Sequence, residues 1–164
     1  MARAPRRLRP VEPGFLDEAP VRMAFSAVLA ASPGEVYHVL ADETGAWPSW
    51  FAGVERAEAH GDGRRTVVVS GGTRTEETVL VAERPRRYAY RADTVNRPGL
   101  CALMEEWRIE PVAGGAMVRW TIAADGTPVA RAFLRALRPG LRSVFRRTAH
   151  GLDLRCAALT ARRP

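Results

Sequence analysis

The sequence predicts an α+β domain in which one strand, two short helices and six further strands precede a long terminal helix. Three observations predict it. The hydrophobic period is two over most of the chain and becomes 3.6 at Pro128. Glycine-bearing turns separate the alternating segments, as between antiparallel neighbours. Ser32 and Glu35 flank Pro33 in the pattern of a helix start, placed between the first alternating segment and the rest.

The first 19 residues, opening with Arg3, Arg6, Arg7 and Arg9 beside Pro5 and Pro10, read as a basic, flexible arm ahead of one domain spanning 20–161. Over 21–29, Val21, Met23, Phe25, Ala27 and Leu29 share one face of a strand. The capping box predicts a helix over 33–41, with Pro33 at the first helical position, where its missing N–H costs nothing. Trp47 and Trp50 lie three apart and so share a face of a short helix near 47–51. Strands follow at 54–60, 64–70 and 74–83, joined by turns at Gly61-Asp62-Gly63 and Gly71-Gly72. Pro85 then separates off the strand 86–92, in which Tyr88 and Tyr90 point one way.

A loop with Asn96 and Pro98-Gly99 leads to the strand 103–112. The turn at Ala113-Gly114-Gly115 joins this to 116–124, the strongest hairpin signal in the chain. Beyond Pro128, Ala130, Phe133, Leu137, Leu141, Val144, Thr148, Leu152, Cys156 and Leu159 trace one helical face. Arg131, Arg135, Arg138, Arg142 and Arg146 cover another. Pro139-Gly140 predicts a kink or break.

Composition narrows the chemistry. All 25 basic residues are arginine, which excludes a Schiff-base or pyridoxal-phosphate lysine and a P-loop. His38, His60 and His150 are scattered without metal-ligand spacing, so neither metal nor cofactor is expected. Ser70 and Ser143 sit in no nucleophile-elbow context. Cys101 and Cys156 form no CxxC pair and suit a reduced, cytoplasmic setting. The apolar run near 23–31 is too short to span a bilayer. Glu12, Asp17 and Glu18, lying between it and the basic start, spoil a secretory charge layout.

Certain residues taken in order carry a family resemblance: Ser32, Pro33, Gly34, Glu35, Val36 and Tyr37; Leu40 and Asp42; Trp47, Pro48, Ser49 and Trp50; Glu106, Trp107, Arg108 and Pro111; Gly114-Gly115; Val118 and Trp120; and the long last helix. Across about 20–160 the chain resembles the START-like, helix-grip superfamily, also called birch-pollen-allergen-like or SRPBCC. Within it the chain is most similar to the bacterial polyketide cyclase/dehydrase and lipid-transport group. The resemblance implies a seven-stranded antiparallel sheet wrapped around the C-terminal helix, with a cavity between them. It implies binding of a small hydrophobic ligand (lipid, polyketide or aromatic). A second implication is a cofactor-independent aromatase/cyclase or dehydratase. Such enzymes would place aromatics with Ser and Arg on the middle strands, whereas 67–75 offers Ser70 and Arg74 but no aromatic.

On the strand 103–112, Leu103, Glu105, Trp107 and Ile109 share the inner face. Glu105 is then a buried carboxylate whose pKa rises unless a cation pairs with it. It would anchor a ligand or act as acid/base, with Tyr88 or Tyr90 as hydrogen-bond donor; alternatively it sits at the sheet rim or in an arginine salt bridge. The expected cavity lining is Trp50, Tyr88, Tyr90, Glu105, Trp107, Trp120, Phe133 and Leu137, a set that ordinary core packing would also produce. Residues 128–164 hold nine arginines against Asp153 alone. That face is either solvated or docks, with the basic arm, on an anionic partner such as a membrane surface or ribosomal RNA. It lacks the interleaved aromatics and motifs of nucleic-acid binders, so nucleic acid is not expected. The oligomeric state is not readable from the sequence.

Overall fold

The computed structural model describes residues 4–162. Strand β1 (Arg6–Arg7) and the one-turn helix α1 (Phe15–Glu18) lead into β2 (Val21–Leu29). Helix α2 (Pro33–Tyr37) passes into a π-helical turn (His38–Asp42), and a 3₁₀ segment (Thr44–Ser49) follows. Then come β3 (Val54–Gly61), β4 (Arg64–Val69), β5 (Thr73–Glu83), β6 (Arg87–Val95), β7 (Leu100–Val112) and β8 (Gly115–Gly126). Helices α3 (Pro128–Ala136) and α4 (Arg138–Thr160) close the described chain. No helix among the described residues is long and apolar enough to cross a membrane.

The seven long strands lie in the order β2-β8-β7-β6-β5-β4-β3, every pair antiparallel, with α4 packed against the concave face. This is the helix-grip α+β architecture expected from the sequence. The Ser32 hydroxyl accepts from the Glu35 amide while the Glu35 side chain returns to the Ser32 amide, so the capping box forms as read. The terminal helix breaks at Leu137, and Pro139 falls in the first turn of α4. A proline there loses no helical hydrogen bond, whereas in mid-helix it would.

The segment ahead of β2 does not behave as a free arm over its described part. Residues 1–3 lie outside the described residues. Strand β6 pairs with β7 only from Arg87 to Arg91, because the two strands diverge beyond that point. Strand β1 fills the gap, pairing Arg6 with Val95 and Arg7 with Thr94. The Leu8 amide donates to the Asp93 carbonyl and the Arg9 amide to the Cys101 carbonyl. Further on, Val11 and Leu16 bury against Ala89, Ala102, Met104 and Ala123 on the outer face of the sheet. Unpaired strand backbone and exposed apolar surface are both costly, and this segment covers both. The sheet therefore has eight strands rather than seven.

Helix α4 packs closely on the loop that carries the tryptophans. A Cβ built at Gly151 would lie 2.4 Å from the Trp50 carbonyl oxygen, so only glycine permits this approach. The Thr148 hydroxyl accepts from the Ala52 amide beside it. Inside, Phe25, Trp107, Trp120 and Phe145 stack between sheet and helix, with Trp107 and Trp120 facing each other across the β7–β8 ladder at 5.6 Å. These rings fill one end of the interior. The other end is hollow.

Candidate functional site

The hollow end is a cavity of about 430 Å³ between the sheet and the junction of α3 and α4. Its walls are mainly apolar: Met23, Val54, Val67 and Ile122 from the strands, Trp47 and Phe51 from the loop, and Leu134, Leu141 and Val144 from the helices. The exposed residues Ser70 and Leu137 stand at its margin. Polar side chains gather on the strand wall, where Thr75, Glu77, Tyr90 and Glu105 line the cavity.

Strand register assembles this polar wall. Arg65 lies opposite Glu77 in the β4–β5 ladder, and Tyr90 lies opposite Glu105 in the β6–β7 ladder. Cross-strand partners share a face, so both pairs point inward together. Arg65 is buried behind the lining. Its Nε donates to Glu77 Oε2 at 2.7 Å, and its Nη1 donates to the Tyr88 hydroxyl at 2.9 Å. Its guanidinium carbon lies 3.8 Å from the Tyr90 ring centroid and 4.2 Å from that of Trp47. The other terminal nitrogen, Nη2, has no hydrogen-bond partner, and the ring faces supply its remaining stabilisation. Glu77 Oε1 accepts from the Thr75 hydroxyl at 2.9 Å, so both of its oxygens are engaged.

Glu105 differs. Its Oε2 accepts from the Tyr90 hydroxyl at 2.8 Å and from Trp120 Nε1 at 2.9 Å. Its Oε1 accepts no hydrogen bond from any described residue and belongs to a side chain that lines the cavity. No arginine among the described residues forms an ion pair with it. Burial first, and then the negative charge of Glu77, push its pKa up to about 7, against the pull of the Tyr90 and Trp120 hydrogen bonds and of Arg65. Tyr90, buried beside this carboxylate, is raised well above the ordinary tyrosine value. The arrangement can accept a hydrogen bond or exchange a proton near neutrality, inside an apolar enclosure.

Of the residues expected to line the cavity, Tyr90, Glu105, Trp120 and Leu137 do so. Trp107 and Trp50 do not: Phe51, Trp120 and Phe145 enclose Trp107, and Trp50 stacks on Phe51. Tyr88 is buried, but its hydroxyl accepts from Arg65 and it does not line the cavity. Phe133 is 62% exposed and points away. The break at Leu137 shifts α3 out of phase with α4, so Leu134 turns inward instead. Sequence reasoning missed Phe51, Arg65, Thr75 and Glu77, and it left Trp47 between gating the cavity mouth and anchoring its short helix; Trp47 lines the cavity. The signal for Arg65 lay in its alternation with Val67 and Val69, and that for Glu77 in its alternation with Thr75. The middle-strand arginine that turns inward is Arg65; Arg74 is exposed and pairs with Glu76. Among the five helix arginines, Arg131 binds Asp125, and Arg135, Arg138, Arg142 and Arg146 are exposed. No cluster of metal-ligating side chains occurs among the described residues.

Residues 20–157 match the family described as polyketide cyclase/dehydrase and lipid transport. An uncharacterised protein of Mycobacterium tuberculosis is 30% identical over 154 residues, covering 88% of this chain and 92% of its own length. Among solved structures, a START superfamily protein from Mycobacterium smegmatis superposes with a TM-score of 0.64 at 12% identity, over 84% of this chain and 98% of that one. The Zhui aromatase/cyclase from Streptomyces sp. R1128 does so with a TM-score of 0.65 at 19% identity, over 84% of this chain and 93% of that one. At such identities the likeness to the two structures is one of fold.

Proposed function

The chain belongs to the polyketide cyclase/dehydrase and lipid-transport family, and from that premise we propose that it binds a small, largely apolar molecule between the sheet and the α3–α4 junction. The observation that carries this reading is the cavity of about 430 Å³, walled by apolar side chains and polar only where Glu105 and its neighbours stand. That volume lies within the roughly 300–1,000 Å³ range of small-molecule sites. Trp47 and Trp120 line the space, so an occupant should change the tryptophan emission. A panel of fatty acids, flavonoids and polyketide-like aromatics is the test. Saturable quenching by at least one of them, abolished by a cavity-filling Val69→Phe substitution, is the expected result. Emission unchanged by every compound would refute the reading.

One observation favours a catalytic extension. Glu105 combines an uncommitted oxygen with a pKa near neutrality, as proton transfer to and from an enolisable chain requires. Tyr90, bonded to it, is the tyrosine placed to assist. Deuterium exchange into a β-diketone, measured with and without Glu105→Gln, tests this. Exchange no faster with the wild-type protein than with the variant would leave binding alone.

A further inference from the structure

The polar wall makes a finer discrimination than apolar burial does. Every hydrogen-bond donor on the buried part of the lining is already committed. The Thr75 hydroxyl donates to Glu77, the Tyr90 hydroxyl and Trp120 Nε1 to Glu105, and Trp47 Nε1 to the Leu40 carbonyl. Arg65 pairs with Glu77 and Tyr88 through Nε and Nη1, and its unpartnered Nη2 is buried behind the lining rather than on it, since Arg65 does not line the cavity. Among the described residues, the one carboxylate oxygen of the lining that accepts no hydrogen bond is Glu105 Oε1. Resting on the cavity-binding reading, we propose that the ligand is an apolar molecule carrying a hydroxyl that donates to Glu105 Oε1, and that carboxylate-headed molecules, fatty acids included, are excluded.

Three physical points support the choice. Above the Glu105 pKa, a carboxylate head would meet the ionised Glu105 beside Glu77 with no side-chain donor on the buried lining left to satisfy it, and an unpaired charge in such a place is strongly disfavoured. A hydroxyl both donates and accepts, so it serves Glu105 whether that group is ionised or protonated. An ammonium head would lose its hydration to gain one partner, and only the ionised carboxylate would suit it.

Calorimetric titration with three matched probes tests the proposal. At about pH 8, 2-naphthol presents a neutral donor, 2-methoxynaphthalene the same rings without one, and 2-naphthoate an anion. Tightest binding is expected for 2-naphthol, by roughly tenfold or more over the ether, the worth of one hydrogen bond to a charged acceptor. The carboxylate should bind weakest. Glu105→Gln can keep its amide oxygen on Tyr90 and Trp120 and turn its NH₂ into the cavity. It should therefore erase the advantage of the naphthol and admit the naphthoate. Naphthol and ether binding alike would overturn the hydroxyl proposal and leave the cavity reading standing; so would naphthoate binding tightest. Failure of all three to bind would overturn both. If the variant does not fold, the order of the three probes on the wild-type protein decides.

Discussion

Replacing Glu105 by Gln should change how stability depends on pH, with a sign fixed by the site. The folded protein holds the Glu105 proton up to about pH 7, whereas an exposed glutamate releases it near 4.5. The folded state therefore binds this proton more tightly than the unfolded state does. Its stabilising contribution is full below about pH 4.5 and is lost as the pH rises through 7. The difference in proton affinity corresponds to about 3 kcal/mol at most, since Glu105 is only partly buried and solvent screening reduces it. The groups that set it are Glu77, whose charge raises the pKa, and Tyr90, Trp120 and Arg65, which lower it. Urea unfolding of both proteins between about pH 4.5 and 8.5 isolates the effect, because other titrating groups cancel in the difference. Relative to the variant, the wild-type protein should lose stability steadily up to pH 7 and then hold level. A difference that stays flat, or that rises with pH, would refute the assignment of a free, uncompensated carboxylate.

Two further changes probe the scaffold. Arg65→Met strands Glu77 with a single hydroxyl partner in the interior and should cost about 3–5 kcal/mol, or roughly 10 °C in the unfolding midpoint. The double change Arg65→Met with Glu77→Leu should recover most of that loss, and a double variant as unstable as the single one would count against the pairing. Gly151→Ala should destabilise by about 1–3 kcal/mol because its Cβ would collide with the Trp50 carbonyl. Gly140→Ala, with open space around its Cβ, should instead stabilise by up to about 1 kcal/mol. Thermal unfolding of the two variants side by side checks the contrast.

Periodicity carried most of the fold because nearly every strand buries one face and exposes the other. Val21, Met23 and Phe25 on β2, or Trp107 and Ile109 on β7, announce their direction without help from tertiary context. Glu105 was legible for the same reason, as a charged residue in an apolar register. Arg65 and Glu77 obey the identical alternation, yet each alone reads as a solvent-facing charge. Only the β4–β5 register, which sets them opposite one another, makes burial tolerable. Phe133 was misread because one helical phase was carried through Pro139, and the break at Leu137 resets it. The packing of residues 4–19 was hidden by their arginines and prolines, which outnumber the few apolar residues that dock.

That docked segment also fixes an order of events during synthesis. Its partners are Ala89, Ala102, Met104 and Ala123, and its strand pairs with Thr94 and Val95. All of them are translated some 70 residues or more after it. The segment must therefore wait, unpaired, until β6, β7 and β8 have emerged and joined. Contacts of such sequence separation form late, because the loop they close is long. During that interval the outer face of the central strands is bare, and the divergent ends of β6 and β7 offer open backbone to any other extended chain. The aggregation-prone stage of this protein's life is thus a nearly complete sheet still lacking β1 and the apolar cover that follows it.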